Sequence, residues 1–306
     1  MIDRQEIYLE TIPKEHLEQI AEIFDINSRK IEDIEKNTIG MTNDSFIFSI
    51  DKDYYMYRLP GNGSEHFISR HQEASSYDAI KDLHISDEIV YINPSTGVKI
   101  TEFYPNDVVV EQNDWDSIKK SMEILKKLHD AKLEVEHHFN IEEKLFEYYT
   151  MCKNSDCLKY HNYNDALDNL STPLDIIRNS KEPKVLCHID SANVNFLKLT
   201  NGDIKLLDWE YSGMSHGVTD VAMFAIFAEY SENQVLKLLE WYYGRKPNKD
   251  EILLCFSYIA TAGILWSMWA EYREFHGEDF GDYSQMNFDI GTKYTKIIND
   301  YVNCND

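Results

Sequence analysis

Residues 185–213 read VLCHIDSANVNFLKLTNGDIKLLDWEYSG. Val185, Leu186 and Cys187 form a short apolar run, Phe196 to Leu199 a second and Ile204 to Leu207 a third, with Asn201, Gly202 and Asp203 between the last two. Short apolar runs around an Asn-Gly turn predict strands and a hairpin. Three oxygen-bearing residues stand at their ends: Asp190 just after the first run, Asn195 five positions on, and Asp208 after the third. Two carboxylates and an amide oxygen at the mouth of a hairpin are the hard ligands Mg²⁺ prefers, with one acid left to orient a hydroxyl. The same residues are ordinary turn formers, so the triplet alone fits a plain loop as well as a site of phosphoryl transfer.

The upstream chain supplies further parts of such a site. Leu17, Ile20, Ala21 and Phe24 fall on one face of a helix over Lys14 to Phe24. From Ile34 to Leu59 apolar and polar residues alternate (Phe46, Phe48, Ile50; Tyr55, Tyr57, Leu59), with a hairpin break at Asp51 to Asp53. Pro60, Gly61, Asn62 and Gly63 end the second run, a helix covers about Phe67 to Leu83, and short strands near Ile89 to Ile92 and Val98 to Phe103 follow. The loop Thr38-Ile39-Gly40-Met41-Thr42-Asn43 lies between the first two runs, where backbone N–H groups and small polar side chains can meet phosphate oxygens. Arg58 on the next strand and Glu73 on the following helix have the order of a phosphate-binding cation and the acid that holds it. Each alone reads as a surface charge; their order along the chain carries the argument.

Beyond Pro105 the pattern is helical. Ile118, Met122, Leu125 and Leu128 share one face behind possible caps at Asp114 and Asp116, and a second helix covers Ile141 to Met151. The fold class is therefore α+β: a small antiparallel lobe over residues 1–104 and a larger, mostly helical lobe over 105–306, packed around a cleft.

Composition narrows the function classes. The 306 residues are 43% hydrophobic and 27% charged, ordinary for a folded globular protein, and 12 glycines with 7 prolines favour long helices over a many-turned β architecture. The balance of 54 acids against 30 bases leaves −24, a field that disfavours nucleic acid and anionic membrane as partners and favours a cationic ligand. Five cysteines form no framework and read as reduced thiols of a cytoplasmic protein; Cys152, Cys157 and His161 have zinc-like spacing but no fourth ligand nearby. The charged N-terminus MIDRQEIYLE argues against an export signal. Ile252 to Ala270 is uncharged and long enough to span a membrane, but its polar residues and unbiased flanks predict a buried helix instead.

The chain resembles the choline/ethanolamine kinase family, especially its bacterial choline kinase branch, within the protein-kinase-like and aminoglycoside phosphotransferase superfamily. The stretches that carry the likeness are Gly40-Met41-Thr42-Asn43, Tyr57 to Gly63, His188 with Asp190 and Asn195, Asp208-Trp209-Glu210-Tyr211-Ser212-Gly213, Trp266-Ser267-Met268-Trp269 and Phe280-Gly281-Asp282-Tyr283. The resemblance implies a two-lobed kinase fold with ATP in the cleft, Gly40, Thr42, Asn43 and Arg58 at its phosphates, Glu73 beside Arg58, and backbone groups of Glu102, Phe103 and Tyr104 at adenine. It implies Mg²⁺ on Asn195 and Asp208, Asp190 as the catalytic aspartate, and His188 as a brace. Trp266 and Trp269, three apart on a helix, read equally as core; with Tyr211 and Tyr283 the family likeness makes them a cage for the quaternary ammonium of choline, whose product is phosphocholine.

The sequence departs from that pattern at named positions. Ile189 stands where the family has asparagine, Phe227 where an acid is expected seven residues past Asp220, with Glu229 two further on, and the phosphate loop has one glycine for the common two. Rival readings are a kinase of ethanolamine or an aminoglycoside, and a silent kinase-like module that binds choline without transferring phosphate.

Overall fold

The computed structural model describes residues 12–37, 43–61, 67–159 and 162–304. The strands are β1 (Glu32–Asn37), β2 (Asn43–Ile50), β3 (Asp53–Pro60), β4 (Ile89–Ile92), β5 (Lys99–Glu102), β6 (Val108–Val109), β7 (Lys184–Cys187), β8 (Phe196–Lys198), β9 (Ile204–Leu206) and β10 (Gly213–His216). The helices are α1 (Lys14–Ile23), α2 (Arg70–Ile80), α3 (Trp115–Asp130), α4 (Ile141–Ser155), α5 (Tyr163–Asn169), α6 (Ser171–Asn179), α7 (Val218–Phe227), α8 (Glu232–Tyr243), α9 (Lys249–Phe275) and α10 (Tyr283–Asn303). They form two compact units, one made of the chain up to Val109 with Leu197–Tyr211, the other of Val110–Phe196 and the chain from Ser212 onward.

The first unit is built on an antiparallel sheet in the order β1-β2-β3-β5-β4. Asp51 and Lys52, both at positive φ (52° and 80°), make the two-residue β2–β3 hairpin, the backbone that matches strand twist. Register then fixes two opposite faces. Phe46, Tyr57 and Ile100 stand side by side and join Ile20, Ile31 and Phe48 in one apolar core beneath α1. On the other face Ser45, Arg58 and Lys99 are aligned, toward α2. The helix expected over Phe67 to Leu83 is shorter: α2 ends at Ile80, a 3₁₀ turn covers Lys81–Leu83, and His84 in the left-handed region (φ 52°) stops it. The β8–β9 hairpin also belongs here and pairs with β6, Val109 opposite Leu197.

The second unit is helical around α9. Asn248 and Glu251 form its capping box, N–H to side chain in both directions (3.0 and 2.7 Å), and Arg245 clamps Glu251 in turn. α9 packs against α10, α4, α7 and α6, and 89% of its membrane-length apolar window is buried inside the protein, as the polar residues within it suggested. Among the described residues the cysteines are free thiols, Cys152 and Cys157 both buried; His161 lies outside the described residues. β7 does not join the hairpin that follows it in sequence. It pairs with β10, Cys187 opposite Gly213.

Candidate active site

In the first unit the side of the sheet facing α2 carries a dry ion cluster. Arg58, 5% exposed, meets the 1%-exposed Glu73 through both terminal nitrogens (2.7 and 2.8 Å) and lies 3.5 Å from Asp208 and 3.7 Å from Glu210. Lys99 contacts Glu73 at 3.3 Å and donates to Tyr77 Oη at 2.7 Å. Arg70 bridges Glu73 (3.0 Å) and Glu210 (2.9 Å) and donates to Asn43 Oδ1 (3.3 Å), while Asn43 Nδ2 donates to Glu210 (3.2 Å). Three cations thus face three carboxylates, which is what makes burial tolerable. Burial opposes the charge of Glu73, yet Lys99, Arg58 and Arg70 outweigh it and hold the group at about 2. For Glu210 burial wins, helped by Asp208, and lifts it to about 7 against Arg58 and Arg70.

Arg58 and Glu73 therefore meet as their order in the chain predicts. Arg70, Lys99 and Glu210 are partners that the sequence reading missed. Arg70 leaves a local trace, three residues before Glu73 on one helix; Lys99 and Glu210 reach the cluster only through strand register and the β8–β9 return. Asn43, expected at phosphate, has its amide oxygen and nitrogen bound within this cluster. Gly40 and Thr42 lie outside the described residues. At the end of β5, Glu102 N–H donates to Glu88 and Phe103 N–H to Tyr54, while Tyr104 N–H has no acceptor among the described residues. Tyr211 is half-buried at the end of the first unit's last segment.

The second unit holds the catalytic-loop candidates. Asp190 N–H donates to His188 C=O at 2.9 Å around Ile189 at φ +71°, the tight three-residue turn that strains a β-branched residue. Such strain costs roughly 1–3 kcal/mol and needs external restraint. Asp220, fully buried at the start of α7, supplies it: its carboxylate accepts both the His188 and Ile189 N–H groups (2.8 and 2.7 Å) and contacts His129 Nε2 (3.0 Å), whose other ring nitrogen meets Tyr242 Oη (2.8 Å). Ser191 Oγ donates to the Asp220 carbonyl at 2.6 Å. Asp220 enters the sequence reading only as a landmark and His129 not at all; their pairing spans 91 positions and leaves no local pattern. Cys187 lies beside them, but the histidine and carboxylate of this trio are spent on hydrogen bonds, so it reads as a brace and not as a metal site.

Asn195 Nδ2 donates to the Asp190 carboxylate (3.0 Å) and carbonyl (2.7 Å), which fixes the amide plane and leaves its oxygen as a hard donor. Asp208, at φ +65° with a side chain 35% exposed, is a second hard donor in the first unit.

Trp266 and Trp269 are edge to face at 6.1 Å, and Trp269 and Tyr283 at 6.5 Å. Trp269 Nε1 is buried without a hydrogen-bond partner among the described residues, and the buried Arg273 guanidinium lies over the indole 5.7 Å from its centroid, so Trp269 already meets a cation with its ring and not its N–H. Burial raises the Tyr283 phenol and the charge of Asp190 raises it further.

Comparisons with known proteins bear on the fold and the family. The choline/ethanolamine kinase family profile matches residues 34–262. Protein LicA of Haemophilus influenzae is 24% identical over 264 residues, 83% of this chain and 98% of that protein. The solved choline kinase LicA of Streptococcus pneumoniae superposes with a TM-score of 0.81 at 23% identity, covering 93% of this chain and 98% of that one. A LicA structure in complex with AMP gives 0.78 at 22% identity with the same coverage. The fold is thus the α+β, protein-kinase-like one. With three quarters of its length matched by the profile, the chain belongs to the choline/ethanolamine kinase family.

Proposed function

We propose that the protein transfers the γ-phosphoryl group of ATP to the hydroxyl of choline, giving phosphocholine and ADP. The observation that carries the reading is a carboxylate held in place beside a ring cluster in the same unit: Asn195 Nδ2 donates to the Asp190 carboxylate at 3.0 Å on a turn that Asp220 braces, and Trp266, Trp269 and Tyr283 pack ring against ring. A quaternary ammonium has no N–H to donate, so ring faces are its natural partners. The AMP complex of a LicA relative supports a nucleotide cosubstrate.

In this reading residues 1–104 serve the nucleotide and 105–306 the acceptor. Arg58 meets phosphate oxygens; its buried Nε has no acceptor among the described residues and is a donor in reserve. Glu73 and Lys99 keep that guanidinium charged and in place. The Tyr104 N–H, with the neighbouring carbonyls of Glu102 and Phe103, serves adenine. Asn195 and Asp208 fit Mg²⁺ by their chemistry, an amide oxygen and a carboxylate, and a bound Mg²⁺ neutralises charge that develops on the phosphates. Asp190 orients the choline hydroxyl and takes its proton as the oxygen attacks phosphorus, while Asn195 holds the carboxylate in one rotamer. Trp266, Trp269, Tyr283 and Tyr211 hold the ammonium.

The test is ADP release by purified protein with Mg·ATP across an acceptor panel of choline, ethanolamine and an aminoglycoside. Choline-dependent release is expected, and Asp190→Ala should lower kcat by at least about 10³-fold with nucleotide affinity retained. Intact Mg·ATP binding without choline-dependent release would overturn the assignment.

A further inference from the structure

Phe227 is the one position of α7 that is not buried: Val218 to Ile226 are all inside, and the helix ends on a half-buried phenyl ring. That ring lies 6.3 Å from Trp266 and stacks nearly parallel to Tyr283 (14°, 6.5 Å). With the Trp266–Trp269 and Trp269–Tyr283 contacts at 6.1 and 6.5 Å, the four rings close a circuit. Phe280 abuts two of its members, Trp269 at 5.2 Å and Tyr283 at 6.4 Å. The nearest acid along the chain, Glu229, is exposed and turned off the helix end at φ +53°. The indole N–H groups bring no negative charge either, since one donates to Met223 Sδ and the other has no partner among the described residues.

We infer that Phe227 is a specificity-determining residue: it lines the cation subsite with a ring where a carboxylate would accept N–H groups, so the subsite selects its acceptor by the number of methyl groups on nitrogen. The inference rests on the choline kinase reading above. A primary ammonium that enters such a subsite leaves up to three N–H donors without acceptors, an expensive desolvation. A quaternary ammonium has none to lose and gains ring faces on several sides. A carboxylate at position 227 would reverse the balance, since it accepts from N–H and gives a methylated nitrogen only charge.

The experiment compares kcat/KM for choline, N,N-dimethylethanolamine, N-methylethanolamine and ethanolamine in the wild type, Phe227→Glu and Phe227→Leu. The wild type should lose activity at each methyl removed, by at least about tenfold from choline to ethanolamine. Phe227→Glu should shift the ethanolamine-to-choline ratio upward by about tenfold or more. Phe227→Leu, which keeps apolar volume, should raise KM for choline several-fold with kcat held within about twofold, and should weaken quenching of tryptophan fluorescence by choline equally. A ratio identical in all three proteins overturns the inference, as does a Phe227→Leu protein that loses kcat alike on every acceptor with choline quenching intact. A wild type that binds Mg·ATP but does not turn over choline overturns the underlying function instead.

Discussion

Glu73 is a single carboxylate shared by Arg58, Arg70 and Lys99, and its loss would leave three buried cations with too little negative charge. Breaking a buried charge group in this way costs about 3–5 kcal/mol, far more than an exposed pair contributes. Glu73→Gln, nearly isosteric, should therefore lower the urea midpoint by that equivalent. The pH dependence has a definite sign. Glu73 is held at about 2 against an ordinary 4.5, so the unfolded chain takes up its proton first as pH falls. The stability it contributes is complete above about 4.5 and drains away toward about 2. Urea midpoints of wild type and Gln variant should converge as pH drops through that window; parallel curves would rule out Glu73 as the source. At this scale the sequence was half legible. Arg58 and Glu73 could be read because strand and helix follow each other directly, whereas Lys99 becomes a partner only when β5 pairs with β3 and aligns it with Arg58. Asp220 was equally hidden, for its role is to hold two backbone N–H groups more than thirty residues upstream.

Between residues and the whole chain, the crossing of α9 and α10 sets the geometry of the aromatic group, since Trp266 and Trp269 ride on one helix and Tyr283 begins the other. The two backbones touch at paired glycines. A Cβ on Gly263 would meet Asn287 C=O and the Gly291 N and Cα, each at 2.6 Å. These are backbone atoms and cannot rotate aside, so a methyl group must force the helices apart, at a cost of about 1–3 kcal/mol for overpacking. Gly263→Ala should lower Tm by several degrees. It should also raise KM for choline more than it lowers kcat, because the separation moves Tyr283 away from the tryptophans while the turn at Asp190 is anchored by α7 and not by this crossing. Unchanged KM in a protein of lowered Tm would separate the crossing from the site. The buried character of α9 was legible in its polar residues and flanking charges, and the hairpin at Asp51-Lys52 in the alternation on either side. β10 was not, because Gly213-Met214-Ser215-His216 has no strand pattern of its own and is extended by pairing with β7. The glycine pair was equally silent: each is visible in the sequence, their meeting is not.

For the molecule as a whole the governing quantity is its net charge of −24. The two substrates of the proposed reaction have opposite signs, so one field must help one and hinder the other. In the proposed reaction Arg58 would receive the phosphates locally, backed by Lys99 and Arg70 in dry surroundings where salt penetrates poorly, whereas choline would approach through solvent, where the Debye length is about 10 Å at 0.1 M salt. Raising salt from about 0.02 M to about 0.3 M should therefore raise KM for choline several-fold. The neutral carbon isostere 3,3-dimethylbutan-1-ol, of the same shape but without charge, should show no such rise. KM for Mg·ATP should stay constant or fall, because screening removes repulsion from the acidic surface faster than it weakens the buried phosphate site. Parallel salt curves for choline and its isostere would mean that the acidic surface plays no part in acceptor capture and that ring faces alone account for it.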